Sequence, residues 1–100
     1  MKLPVVIRLL GIDYRVITDS PELAAREAVG HISYAKKEIH IDSQSHHPPL
    51  TILHELVHGI ADSLSMSLPE EKVELIARAV LIVMRDNPGL VASIAEAVNS

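Results

Sequence analysis

The stretch from Thr51 to Met66 constrains this chain more than any other. Leu53, Leu56, Val57, Ile60 and Leu64 recur at i, i+3, i+4, i+7 and i+11, which predicts an amphipathic helix. The same helix carries His54-Glu55-Leu56-Val57-His58, an H-E-x-x-H pattern. Residues i and i+4 lie one turn apart on one helix face, so both imidazoles can reach a single ion. The residue after the first histidine projects beside that pair, where a glutamate can act on a metal-bound water without being a ligand itself. His54 and His58 are therefore candidate metal ligands and Glu55 a candidate general base. The bland alternative is that all three are ordinary polar helix residues.

An open catalytic zinc site takes three protein ligands. The chain has no cysteine, and no histidine follows His58. The extended pattern H-x-x-G-x-x-H also fails, because Ala61 and Leu64 occupy its later positions. A downstream third ligand must then be a carboxylate. Asp62 is one turn beyond His58, and three ligands from one straight helix fit a single ion poorly. Ser67-Leu68-Pro69-Glu70 reads as a capping box opening the next helix, which gives Glu70 a local role. That helix runs to about Arg85 with Val73, Ile76, Ala77, Val80 and Met84 facing inward. Glu74 falls at the edge of this arc and Glu71 points to solvent. Glu74 is the preferred third ligand, with Glu70 and Glu71 as the alternatives. Its bland reading is a surface carboxylate paired with Arg78 at i+4.

The rest of the chain supplies the frame. Val5 to Leu10 and Tyr14 to Thr18 read as strands about a turn at Gly11-Ile12-Asp13. Ser20-Pro21 starts a short helix that Gly30 ends, and Tyr14 reads as packing. His31 to Tyr34 and Glu38 to Ile41 form a second hairpin around Ala35-Lys36-Lys37. Asn87-Pro88 opens a last helix with Leu90, Val91, Ile94, Ala95 and Val98 on one side. Strands followed by helices predict a single α+β domain over residues 1–100. It would have N-terminal antiparallel β-hairpins, then three helices with the H-E-x-x-H pattern on the first of them. His31, Tyr34, His40, His46 and His47 precede that helix, and any of them could stabilise an oxyanion, against the default of ordinary strand and loop residues.

Composition narrows the functional classes. Of the 100 residues 48% are hydrophobic and the formal net charge is −4, which excludes a disordered chain. The absence of cysteine removes disulfides, thiolate zinc sites and cysteine nucleophiles. No basic stripe is visible and the only aromatic residues are two tyrosines, which argues against nucleic-acid binding. The longest internal apolar run, Ala79 to Met84, is too short to span a membrane. The N-terminal run is broken by Pro4 and Arg8 and reads as a strand rather than an export signal, so a cytoplasmic location is expected.

Thr51 to His58, Glu70 to Ala77 and Asp86-Asn87-Pro88 together resemble small zincin-like proteins of phages and bacteria. The run is similar to the peptidase domain of the ImmA/IrrE metallo-endopeptidases, in the gluzincin group. The resemblance covers roughly residues 31 to 88, and Glu38 to Asp42 resembles that family's edge strand. Two positions depart from the family pattern: Gly59 stands where alanine is common and Arg78 where asparagine is common. The resemblance implies a zincin-like minimal domain holding Zn²⁺ through His54, His58 and Glu74. It implies peptide-bond hydrolysis by a zinc-activated water, with Glu55 as general base and the substrate paired along residues 38 to 42. A protein or peptide would be the substrate, a repressor-type regulator among the classes implied. The alternative is a catalytically inactive, zinc-stabilised protein-interaction module.

Overall fold

Two residues with positive φ set the first hairpin. Leu10 (φ 47°) and Gly11 (φ 86°) join β1 (Val6–Leu9) to β2 (Ile12–Thr18), with Leu9 opposite Ile12. A two-residue turn with both φ positive matches the twist of the strands it joins. The turn therefore lies earlier than the sequence suggests, and Ile12 and Asp13 belong to β2. This is the arrangement in the computed structural model, which describes all of residues 1–100.

After β2 the chain enters α1 (Pro21–Arg26), with Ser20 as N-cap and Pro21 in the first turn. It then forms β3 (Gly30–Ser33) and β4 (Glu38–Ile41), which pair antiparallel. The four strands form one sheet in the order β1-β2-β4-β3. β2 and β4 run parallel, with Val16 opposite Ile39 and Thr18 opposite Ile41. The sheet is thus mixed, not antiparallel throughout as the strand pattern suggests. The six-residue α1 and β3 together make the crossover that parallel pairing demands.

That order makes β4 an inner strand covered on both faces. Ile39 and Ile41 are fully buried and join Leu9, Tyr14, Ile32 and Ile52 in the core. His40 faces the other way, 4% exposed beneath α1. Its ring is joined by hydrogen bonds to the Ser20 hydroxyl (2.7 Å) and the Glu38 carboxylate (3.0 Å).

α2 (Pro48–Ser63) lies across the sheet, packed on β1, β3 and β4. It begins earlier than the periodicity indicates, because Pro48 and Pro49 occupy the first turn, where a missing N–H costs nothing. The His47 ring accepts a hydrogen bond from the Leu50 amide (3.4 Å) as its cap. α3 (Glu70–Asp86) packs back against α2. Its N-cap is Pro69, in extended conformation, with no side-chain cap, so the expected Ser67–Glu70 capping box does not form. Val73 and Ala77 are fully buried, whereas Ile76 and Val80 of the expected inner arc are 41% and 40% exposed. α4 (Leu90–Val98) buries none of its residues, so its apolar side is not part of the core. No helix is long and apolar enough to cross a membrane.

Candidate metal centre

α2 carries His54, Glu55 and His58 one turn apart, facing β3 and α3. The two imidazoles stand edge to face with centroids 4.9 Å apart. α3 brings two carboxylates to them. Glu70 places Oε1 2.5 Å from His54 Nε2 and Oε2 3.0 Å from His58 Nε2. Glu74 accepts a hydrogen bond from the opposite ring nitrogen, His54 Nδ1, at 2.7 Å. Arg78 donates to the other Glu74 oxygen at 2.8 Å.

The donor atoms of His54, His58 and Glu70 all lie within 4.8 Å of one another, and Glu74 is not part of this group. The carboxylate expected as third ligand thus sits behind the His54 ring, and the one expected to cap α3 faces both Nε2 atoms. The reason is the helix start. With Pro69 as N-cap, Glu70 is the first helical residue and has no amide to cap. Its side chain is free to reach across, while Glu74, one turn on, meets Nδ1. Glu71 is exposed and outside the cleft, and Asp62 is likewise exposed.

Glu55 is 7% exposed at the cleft floor. Burial drives its carboxyl up to about 7; the His54 charge opposes this and Glu70 adds to it. No hydrogen bond is among the causes, so little offsets the lost hydration. Burial alone would lower the His54 imidazole, but Glu74, Glu55 and Glu70 together outweigh it and raise its pKa. The hydrogen bond from His54 holds Glu74 below the usual carboxylate range, with help from Arg78.

Two glycines shape this site in ways the sequence did not disclose. A Cβ at Gly30, the first residue of β3, would lie 2.9 Å from Glu55 Oε2 and 2.7 Å from Thr51 Cγ2. Gly30 is thus a close-approach residue, not the end of a helix. A Cβ at Gly59 would lie 2.5 Å from Leu9 Cδ1 and 3.0 Å from Ile32 Cδ1. Gly59 lets the back of α2 settle on Leu9 and Ile32 of the core.

The site opens into a cleft of about 800 Å³, within the usual range for ligand pockets. Its walls come from β3, the Ser45–His47 loop, Tyr34, α2 and the start of α3. Tyr34, His46 and His47 line it; His31 borders it through β3, but its ring stands 6.1 Å from that of His40, its cross-strand partner, on the other face of the strand. His40 lies outside it, on the far face of the sheet under α1. The Tyr34 hydroxyl donates to the His58 carbonyl at 3.3 Å. The strand bordering the cleft is β3, which pairs only with β4 and leaves its outer edge free. Residues 38–41 pair on both sides and cannot receive an added strand. Comparison with protein-family models, curated proteins and solved structures finds no match to this chain.

Proposed function

We propose that this chain is a zinc metallopeptidase of zincin type. The observation that carries the reading is the convergence of two imidazole Nε2 atoms and one carboxylate from a second helix at the floor of an open cleft. Histidine nitrogen and carboxylate oxygen are the donors zinc takes in catalytic sites, and ligands about 2 Å from an ion stand roughly 3.3 Å apart in a tetrahedron. The Nε2–oxygen separations of 2.5 and 3.0 Å need only a small opening to reach that spacing. His54, His58 and Glu70 hold the ion in this reading. Glu74, by accepting the Nδ1 proton, fixes the His54 tautomer that leaves Nε2 free to ligate.

Zinc, when bound, supplies a Lewis acid that polarises a carbonyl and lowers the pKa of water. Glu55 takes a proton from the attacking water and delivers it to the leaving amine. An extended peptide lies along the free edge of β3, its main chain bonded to the strand and its side chains entering the cleft. Tyr34, His46 and His47 are the cleft groups able to stabilise developing negative charge.

The test is digestion of a peptide library by zinc-loaded wild type and Glu55→Gln, with bound metal measured in both. The expected result is cleavage by wild type, lost on chelation. Glu55→Gln is expected to keep its metal and be slower by about 10²–10⁴-fold. A variant that cleaves like wild type overturns the mechanism. The interaction-module reading draws on one observation: α3 buries only Val73 and Ala77, so an ion gripped by α2 and α3 would staple the helices together. Zinc binding without cleavage, and unfolding of His54→Ala, would favour that module.

A further inference from the structure

We propose that the sheet carries a second divalent-cation site, built from Glu22, Glu38 and His40 on the face opposite the cleft. The two-residue period of β4 sets Glu38 and His40 side by side on that face, while Ile39 and Ile41 enter the core. Glu22, in the first turn of α1, comes down on the same spot. One oxygen of each carboxylate meets His40 Nε2, Glu38 Oε1 at 3.0 Å and Glu22 Oε2 at 3.4 Å. The three donor atoms lie within 4.8 Å of one another. Ligands of a tetrahedral zinc site stand roughly 3.3 Å apart, so these separations suit an ion with no opening of the site.

The hydrogen bonds of the ring point to a cation as well. Nε2 carries at most one proton, yet two carboxylates face it. Glu38 accepts that proton, and Glu22 Oε2 is left outside the bond. A cation in the proton's place serves both. Ser20 makes the exchange possible. An N-cap serine ordinarily bonds an amide of its own first turn. Ser20 makes no such bond and meets His40 Nδ1 instead, at 2.7 Å. A hydroxyl both donates and accepts, so when an ion takes Nε2 the ring proton moves to Nδ1 and Ser20 accepts it.

The donor set selects the ion. One imidazole nitrogen with carboxylate oxygens suits zinc and its transition-metal neighbours, whereas magnesium and calcium take oxygen alone. His31, the cross-strand partner of His40 with its ring 6.1 Å away, is a further nitrogen donor beside the site. His40 is 4% exposed and the Glu38 side chain 12%, so the ion is enclosed, as in structural rather than catalytic sites. It ties α1, whose one buried residue is Leu23, to β4. Arg15 and Arg26 hold the other oxygens of Glu38 and Glu22, which weakens their pull on a cation. Glu70 in the cleft has only histidine partners. The cleft therefore fills first, and the second ion is held only against free zinc in excess.

Equilibrium dialysis of the full chain against rising zinc at neutral pH tests this, with Glu22→Gln, Ser20→Ala and Glu70→Ala beside wild type. Wild type is expected to bind a second equivalent at high free zinc. Ser20→Ala should weaken that equivalent about 10–100-fold, and Glu22→Gln by at least as much, with the first unchanged in both. Nitrogen NMR of wild type should show the His40 proton passing from Nε2 to Nδ1 as the second equivalent binds. A single equivalent lost in Glu22→Gln but kept in Glu70→Ala would support this site and count against the cleft. A single equivalent that Glu22→Gln keeps overturns the proposal. So does a second equivalent that both Glu22→Gln and Ser20→Ala retain, or one that leaves the His40 proton on Nε2.

Discussion

Replacing Glu55 by glutamine should make the metal-free protein more stable, and only above a defined pH. The wild-type carboxyl is buried, with its pKa raised from 4.5 to about 7. The folded protein therefore retains a proton that the unfolded chain releases. The stability associated with that proton is fully present below pH 4.5 and is lost as pH rises through about 7. By pH 8 the wild type bears nearly the whole cost of a buried carboxylate. A shift of this size corresponds to about 3 kcal/mol. Glutamine has nearly the same shape and never ionises, so that cost disappears, while its buried polar tip resembles the neutral acid. His54 titrates in both proteins, raised by Glu74 and Glu70 in each and by Glu55 in the wild type alone. The assay is urea denaturation in the presence of a chelator, wild type against variant, at pH 4.5 and pH 8. Near-equal stability is expected at the lower pH. At pH 8 the variant should lead by about 3 kcal/mol, with a melting temperature higher by roughly 10 °C or more. Equal stability at pH 8, or a gap that does not change with pH, would refute the claim that Glu55 is held as an uncompensated buried acid.

Three further outcomes follow from the geometry. Gly59→Ala drives a methyl into Leu9 and Ile32 and should cost about 1–2 kcal/mol, read as a lowered denaturation midpoint; unchanged stability would mean that α2 does not sit on the core as described. Gly30→Ala should displace the Glu55 carboxylate, lowering peptide turnover with one metal still bound; undiminished turnover would contradict the close approach at Gly30. Glu74→Ala should weaken zinc affinity about 10–100-fold in a competition titration without abolishing binding, because Glu74 orients His54; complete loss would make it a ligand.

Local features were legible in the sequence, and features set by distant packing were not. Proline in the first turn announced α1, and Tyr14 could be read as core from its place among aliphatic strand residues. The parallel pairing of β2 with β4 could not, because a six-residue helix and one strand give no sign of which way the next strand will lie. That pairing moved the free edge from residues 38–42 to β3 and carried His40 to the far face. The position of Glu74 on the wheel of α3 was read against that helix's own apolar arc. What decides between Glu70 and Glu74 is how α3 lies on α2 and where it begins, and the Pro69 N-cap replaced the local signal from Ser67. The periodicity of α4 marked an apolar side, but periodicity does not say whether anything covers it.

The central claim is that His54, His58 and Glu70 hold one ion. The most direct measurement is the metal content of untagged Glu70→Ala beside wild type, by mass spectrometry after equilibration with zinc at neutral pH. The account predicts one zinc per wild-type chain and none, or a small fraction, in a folded variant. A wild type that takes up no zinc, or a Glu70→Ala variant that holds one as tightly as wild type, would contradict it.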